Sequence, residues 1–236
     1  MDNKIPKVIH YCWFGRGEKP KLAKKCIDSW KRLCPEYEII EWNEDNFDVS
    51  ENQYTKYCSD AKKWAFLSDY VRLVIVLKYG GIYFDTDVEV IKPLNDLLDR
   101  EAFYGFENEK YIATGLGFGA EKNNKTVEAM VDRYSEIKPN SLGEYELINC
   151  PKLNTEALIP FGLVRNGQTQ KINHADIYAV DYFNPMNDAT GKLSITDNTY
   201  TINHYGKSWL SKRVVLKSKI ARPFHRLLDS GFFNEG

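Results

Sequence analysis

The sequence predicts an α/β fold built on a parallel sheet, and three observations carry that prediction. The first 43 residues read strand, helix, strand. A long apolar helix over 61–79 then runs through two glycines into another strand. Short β-branched and aromatic runs continue to alternate with an amphipathic helix as far as about residue 137.

Taken in order, "PKVIHYCWFG" is a first strand, Lys7 to Phe14, ended by Gly15-Arg16-Gly17. "PKLAKKCIDSWKRL" sets Leu22, Cys26, Ile27, Trp30 and Leu33 at helical spacing, and Pro35 stops the helix. "YEIIEWN" is a second strand. After a polar loop, Ser59 or Asp60 caps a helix that reaches about Tyr79 and is apolar nearly all round from Trp64, so it should be buried. Gly80 or Gly81 supplies its left-handed cap, and "YGGIYFDTDVEVI" follows as one strand closed by Pro93. "AFYGFEN" and "IATGLGFGAEKN" read as a strand and a strand with a loop, and "NKTVEAMVDRYSEI" as a helix. Residues 140–200 give only short strands and loops. With no repeat and no dividing linker, 1–236 is expected to be one domain.

Composition excludes some function classes. Lys and Arg (32) nearly balance Asp and Glu (33), so the overall charge calls for no nucleic-acid partner. No run approaches the roughly 18 apolar residues of a membrane span, and the N-terminus lacks a secretory pattern. The five cysteines form an odd set without C-x-x-C pairs, which argues against a disulfide framework or zinc knuckle and for a cytoplasmic chain. From Lys207 the chain turns basic and amphipathic. Lys212, Arg213, Lys217, Lys219, Arg222 and Arg226 alternate there with apolar residues, with no acid before Leu227. The segment 207–236 is either a solvated helix face or a peripheral contact with anionic lipid on the inner face of the plasma membrane.

The chemistry centres on Asp85 and Asp87. On one strand, Tyr83, Asp85, Asp87 and Glu89 would share a face. Two carboxylates about 7 Å apart there repel unless a cation joins them, and a hard, oxygen-preferring Mn²⁺ or Mg²⁺ suits both them and a leaving nucleoside diphosphate. The alternative is a solvated strand end carrying scattered acids. Within the apolar helix Ser68, Asp69 and Arg72 are the polar interruptions. Asp69 and Arg72 lie one turn apart, either as a self-satisfied buried pair or lining a cleft in which Asp69 accepts from sugar hydroxyls and Arg72 supplies a fork of donors. In "NHYGKSWL", His204 is a candidate third metal ligand, Lys207 and Ser208 candidate phosphate contacts and Trp209 a closing ring; the plain alternative is a turn with a surface histidine. Trp13 by default packs in the core.

In order and spacing, "IPKVIHYCWFG", "AFLSDYVRLVIVLKYGGIYFDTDV" and "HYGKSW" resemble the DXD-containing sugar transferases of glycosyltransferase family 32, of the bacterial surface-polysaccharide type, and more distantly the glucosylating domains of large clostridial toxins. The resemblance implies a GT-A-type nucleotide-sugar-binding fold with a mixed, mostly parallel central sheet flanked by helices. It implies a retaining hexosyltransferase that takes a nucleotide sugar, a UDP-sugar foremost, to a glycan or lipid-linked oligosaccharide acceptor in capsular or surface polysaccharide synthesis. By position, Tyr11 and Trp13 match the nucleotide-base contacts, Ser68, Asp69 and Arg72 the donor-sugar contacts, and Tyr83 a ribose or base contact. Asp85 and Asp87 match the metal-diphosphate motif, with Asp85 partly a ribose or water-mediated contact. His204 matches the late metal ligand, and Lys207, Ser208 and Trp209 a loop over the diphosphate. Asp69, Arg72, Asp85 and Asp87 thus form the implied catalytic set, and no acceptor residue is assigned within 120–200. Two rivals remain: a haloacid-dehalogenase-type phosphatase, whose pattern disagrees at Glu89, and a non-catalytic carbohydrate-binding protein.

Overall fold

The computed structural model describes residues 3–206. The basic segment and the expected phosphate contacts Lys207, Ser208 and Trp209 lie outside the described residues.

The opening unit is β1 (Val8–Cys12), α1 (Lys21–Leu33) and β2 (Glu38–Trp42), with β1 and β2 parallel. α2 (Gln53–Asp60) and α3 (Trp64–Tyr79) follow. Here the structure corrects the expectation of one helix starting at Ser59 or Asp60. Asn52 caps α2 by accepting from Tyr54 N at 2.7 Å, and the chain then breaks at Lys62, whose φ is +55°, before α3 starts.

Gly80 and Gly81 do end α3, with φ of +68° and +105°. A Cβ on Gly81 would stand 2.8 Å from Val8 O and 2.9 Å from His10 Nε2, so the glycine meets both a backbone and a packing need. His10 is buried between Trp42 Nε1, which donates to its Nδ1 at 3.1 Å, and the Gly80 carbonyl, 2.9 Å from Nε2. Burial lowers its pKa, so a neutral ring joins β1, β2 and the end of α3.

The expected single strand over 79–91 is two strands in two sheets. β3 (Gly81–Tyr83) pairs with β1 in the main sheet; residues 84–87 turn; β4 (Val88–Val90) pairs elsewhere. Then come β5 (Ala102–Gly105), β6 (Phe118–Ala120), α4 (Lys125–Ser135) and α5 (Cys150–Leu158). Last are β7 (Gln170–Ile172), β8 (Ala175–Tyr178), α6 (Val180–Phe183) and β9 (Thr201–Asn203). The sheet order is β2-β1-β3-β6-β5-β8-β7, with β4-β9 as a separate antiparallel pair. The pairings point β2, β1, β3, β5 and β8 one way and β6 and β7 the other, a mixed, mostly parallel sheet.

Alternation sorts the core between the two faces. Ile9, Tyr11, Ile82 and Phe84 join Cys26, Ile27 and Trp30 of α1 and the β4 valines. Cys12, Tyr83, Tyr104 and Phe118 join α2, α3, α4 and α5 on the other face. All five cysteines are buried thiols without disulfides. Among the described residues, no helix is long and apolar enough to cross a membrane.

Candidate functional site

The chain runs from β1 to β2 on one side and returns to β3 on the other side of β1. The order reverses there, and the crevice at the carboxyl ends of such a strand pair is where open α/β sheets take ligands. Trp13 follows β1 and Asp85 follows β3, so both stand at that end.

The α3 side is a buried knot around Arg72, which is 4% exposed. Its Nη2 lies 2.9 Å from Asp69 Oδ1 and 3.0 Å from Asp85 Oδ1, and its Nε donates to the Ser68 carbonyl at 3.1 Å. The guanidinium lies 4.8 Å from the centre of the Tyr83 ring, and Tyr83 donates to the same Asp85 oxygen at 3.0 Å. Burial works against the charge of Arg72, but Asp85, Tyr83 and Asp69 together raise its pKa well above the ordinary value. Burial moves Asp69 the other way for a carboxylate, up to about 6, with Arg72 opposing. Ser68 contributes its main chain here, a role its side-chain chemistry does not announce.

Gly115, in the loop before β6, completes the knot and was not singled out from sequence. A Cβ there would collide with Asp85 Oδ2 and stand 2.9 Å from Arg72 Nη1. Its carbonyl accepts from Asp85 N at 3.2 Å. Close approach, not a positive φ, is the reason for glycine.

Asp87 is held differently. Its Oδ2 accepts from Gly206 N at 2.8 Å, and its carbonyl accepts from His204 N at 2.9 Å. Burial and the nearby Asp85 carboxylate raise its pKa to about 6. The strand alternation expected to align Asp85 with Asp87 is replaced by the 84–87 turn, and pairing of β9 with β4 brings His204 to Asp87. The His204 ring turns to Glu89, with Nε2 2.7 Å from Oε2. Among the described residues no three His, Cys, Asp or Glu side chains are grouped to hold a metal. The chemistry of Asp85 and Asp87 nonetheless fits a divalent cation: two hard carboxylates in mutual repulsion, one of them destabilised in its charged form.

At the β1 end the Tyr11 hydroxyl donates to Glu41 Oε2 at 2.5 Å, and Lys19 meets the same oxygen at 2.7 Å. Lys19 also lies 5.6 Å from the centre of the half-buried Trp13 ring, whose Nε1 donates to Gly17 O at 2.6 Å. Trp13 thus packs its half-buried ring against the edge of one core cluster while its loop fixes it at the crevice rim. Behind Asp69, Cys150 opens α5. Burial raises its thiol and pushes Cys12 up to about 12, which excludes thiolate chemistry at this end. α5 also went unforeseen, although Asn149 before Pro151 is a helix-start signal.

Part of the chain that forms this site is similar to known proteins. Residues 20–104 match the family model described as "Glycosyltransferase sugar-binding region containing DXD motif". That span holds Asp69, Arg72, Tyr83, Asp85 and Asp87, and excludes Trp13 and His204. The chain is 34% identical over 111 residues to inositol phosphoceramide mannosyltransferase 3 of Schizosaccharomyces pombe, covering 42% of this chain and 29% of that protein. It is 24% identical over 213 residues to an uncharacterised glycosyltransferase of Acanthamoeba polyphaga mimivirus, covering 87% and 84%. The chain spans less than two thirds of the yeast mannosyltransferases 3 and 1, at 29% and 39% of their lengths. Among solved structures it is similar to the PaToxG glycosyltransferase, with a TM-score of 0.49 and 21% identity over 66% of this chain and 69% of that one. The UDP-bound glycosyltransferase domain of the YGT toxin gives a TM-score of 0.44 and 11% identity over 70% and 69%. Both TM-scores lie below 0.5, so neither likeness assigns a residue or a substrate.

Proposed function

We propose that the chain is a metal-dependent, retaining glycosyltransferase of the GT-A type that moves a hexose from a nucleotide sugar, a UDP-sugar foremost, to a glycan acceptor. The observation that carries this reading is the joining of Asp85 to Arg72, Asp69 and Tyr83 at the crevice where the sheet order reverses. The matched sugar-binding region covers this same cluster.

Each side chain then has a task. Asp85 and Asp87, with His204, would hold Mn²⁺ or Mg²⁺. When bound, the ion neutralises charge on the departing diphosphate. Arg72 fixes Asp85 and Asp69 so that both present oxygens without rearranging, which is positioning done before the substrate arrives. Asp69 accepts from sugar hydroxyls, and Trp13 offers a ring to the base while Tyr11 steadies Glu41 and Lys19 beside it. Lys207, Ser208 and Trp209 are assigned to the diphosphate from their sequence alone. In retention by front-face attack the leaving phosphate takes the acceptor proton, so no side chain serves as base.

For the acceptor we infer a glycan, free or carried on a lipid, in surface or capsular polysaccharide synthesis. Two relatives are named for inositol phosphoceramide, and the basic 207–236 segment is consistent with a cytoplasmic chain resting on an anionic membrane. The test is a hydrolysis and transfer screen over UDP- and GDP-sugars with Mn²⁺, in wild type and in Asp87→Asn. We expect turnover of one donor group and Mn²⁺-dependent UDP binding. Asp87→Asn should lose both, with an unchanged circular dichroism spectrum. Near-normal transfer by that variant would refute the metal assignment.

A further inference from the structure

Glu89 is two residues beyond Asp87, and its one oxygen Oε2 serves two partners. Lys25 Nζ from α1 lies 2.7 Å away, and His204 Nε2 also lies 2.7 Å away. The carboxylate is 15% exposed and the imidazole 21%, so the Glu89–His204 contact is not a loose surface pair, whereas Lys25 reaches Glu89 from an exposed side chain.

The surrounding backbone leaves this group little freedom. β4 is fastened to α1 by Trp30 Nε1, which donates to Val88 O at 2.8 Å, and by Ser29 Oγ, which accepts from Val90 N at 3.0 Å. β9 is registered on β4 with Glu89 opposite Ile202 and Val88 opposite Asn203, and His204 N closes the ladder onto Asp87 O. His204 is thus fixed at its main chain by the residue that carries the proposed metal carboxylate, and at its ring by Glu89.

A carboxylate only accepts, so the ring nitrogen facing Glu89 carries the hydrogen. A neutral imidazole with its hydrogen on Nε2 has its lone pair on Nδ1. Orienting a ligating histidine through its other nitrogen is what outer-shell carboxylates do, and losing one typically costs about 10- to 100-fold in metal affinity. Lys25 donates to the same Glu89 oxygen, so that oxygen serves two donors at once.

We propose that Glu89, steadied by Lys25, is a positioning residue that sets the tautomer and ring plane of His204 for a divalent cation shared with Asp87. The inference rests on the metal reading of Asp87 and His204 given above. It predicts that Glu89 acts only through His204.

The test uses the full chain with Mn²⁺ as probe and electron paramagnetic resonance as readout, without any sugar transfer. With UDP present, wild type should bind Mn²⁺ and its pulsed spectrum should show nitrogen coupling that His204→Ala abolishes. Glu89→Gln should weaken Mn²⁺ about 10- to 100-fold and diminish that coupling, while the thermal midpoint of the metal-free protein stays within a few degrees. Lys25→Met should lose a smaller factor in the same direction. The decisive arm is the double variant Glu89→Gln/His204→Ala, which should bind Mn²⁺ no more weakly than His204→Ala alone. Losses that add would make Glu89 a ligand in its own right or a general support, and would overturn the proposal. Unchanged or tighter binding by Glu89→Gln would overturn it too, since Glu89 would then be idle or a competitor for the ring. A wild type that binds no Mn²⁺ with UDP present would instead overturn the metal site itself, and this inference with it.

Discussion

Only Thr86 separates Asp85 from Asp87, yet the carboxylates belong to differently built regions. Asp85 is held by side chains from the core: Arg72 of α3, Tyr83 of β3, and the space left by Gly115. Asp87 is held by main-chain groups of His204 and Gly206, which reach it through a two-stranded sheet and lead directly to residue 207. One carboxylate is fixed by core side chains, the rigid half of the site, and the other by main-chain groups of a late segment. On the proposed function, the rigid half orients the sugar, and the other half registers metal and diphosphate.

The most damaging way to break the rigid half is Arg72→Ala. It would leave the Asp69 and Asp85 carboxylates without their shared cation in a buried setting, at a cost of about 3–5 kcal/mol. The expected thermal midpoint falls by roughly 10 °C in a chain of this size. Arg72→Lys sharpens the comparison, because an ammonium keeps the charge but not the fork that reaches Asp69, Asp85 and the Ser68 carbonyl. We expect it to fold and to lose transfer more than nucleotide binding. A melt of Arg72→Ala within two degrees of wild type would sink the account of the knot.

Gly115→Ala attacks the same half with one methyl group. Its nearest neighbours would be Asp85 Oδ2 and Arg72 Nη1, so both must shift, at about 1–3 kcal/mol. Gly17→Ala is the control, with nothing within 4 Å of the added carbon. A denaturant midpoint for Gly115→Ala equal to that of Gly17→Ala would show that the space beside Asp85 is not restrictive.

A smaller effect is expected from pH. Asp69 sits at about 6 through burial, above the ~3.9 of an unfolded aspartate. Between about pH 4 and pH 6 the folded chain holds a proton that the unfolded chain has released, so this group favours the fold at low pH. That advantage is lost as pH rises through about 6. The metal-free wild type should therefore gain more urea resistance between pH 7 and pH 5 than Asp69→Asn does. Parallel pH curves for the two would contradict the assignment.

How far the sequence revealed this arrangement depends on the range of the interactions. Helix α1 was readable from the spacing of Cys26, Ile27 and Trp30, because a buried stripe has a local period. Asp85, Asp87, Asp69 and Arg72 were readable as odd polar residues in apolar runs. The break at 84–87 was not, since Phe84, Val88 and Val90 all face one core cluster and alternate just as a single strand would. Gly115 and the Glu89–His204 contact were hidden for another reason. The first meets a need set by Asp85 across a loop, and the second joins residues 115 positions apart. No window of sequence contains either pair.

The smallest prediction concerns the wall behind Asp69. The Tyr134 hydroxyl and the Asn154 Oδ1 are buried and have no hydrogen-bond partner among the described residues. The Tyr54 and Tyr134 rings meet edge-on with centres 5.6 Å apart, and burial raises both phenols, with the nearby Asp69 carboxylate adding to the shift. An unpaired buried hydroxyl costs free energy that Phe does not incur. Tyr134→Phe should accordingly leave stability within about 0.5 kcal/mol of wild type, or raise it. Tyr104→Phe is the contrast, because Tyr104 shares a 2.8 Å hydrogen bond with Thr126 Oγ1, and its loss should cost on the order of 1 kcal/mol. If Tyr134→Phe cost as much as Tyr104→Phe in the same urea titration, the Tyr134 hydroxyl would have a partner in solution. The wall behind Asp69 would then hold a polar contact and not a purely apolar packing surface.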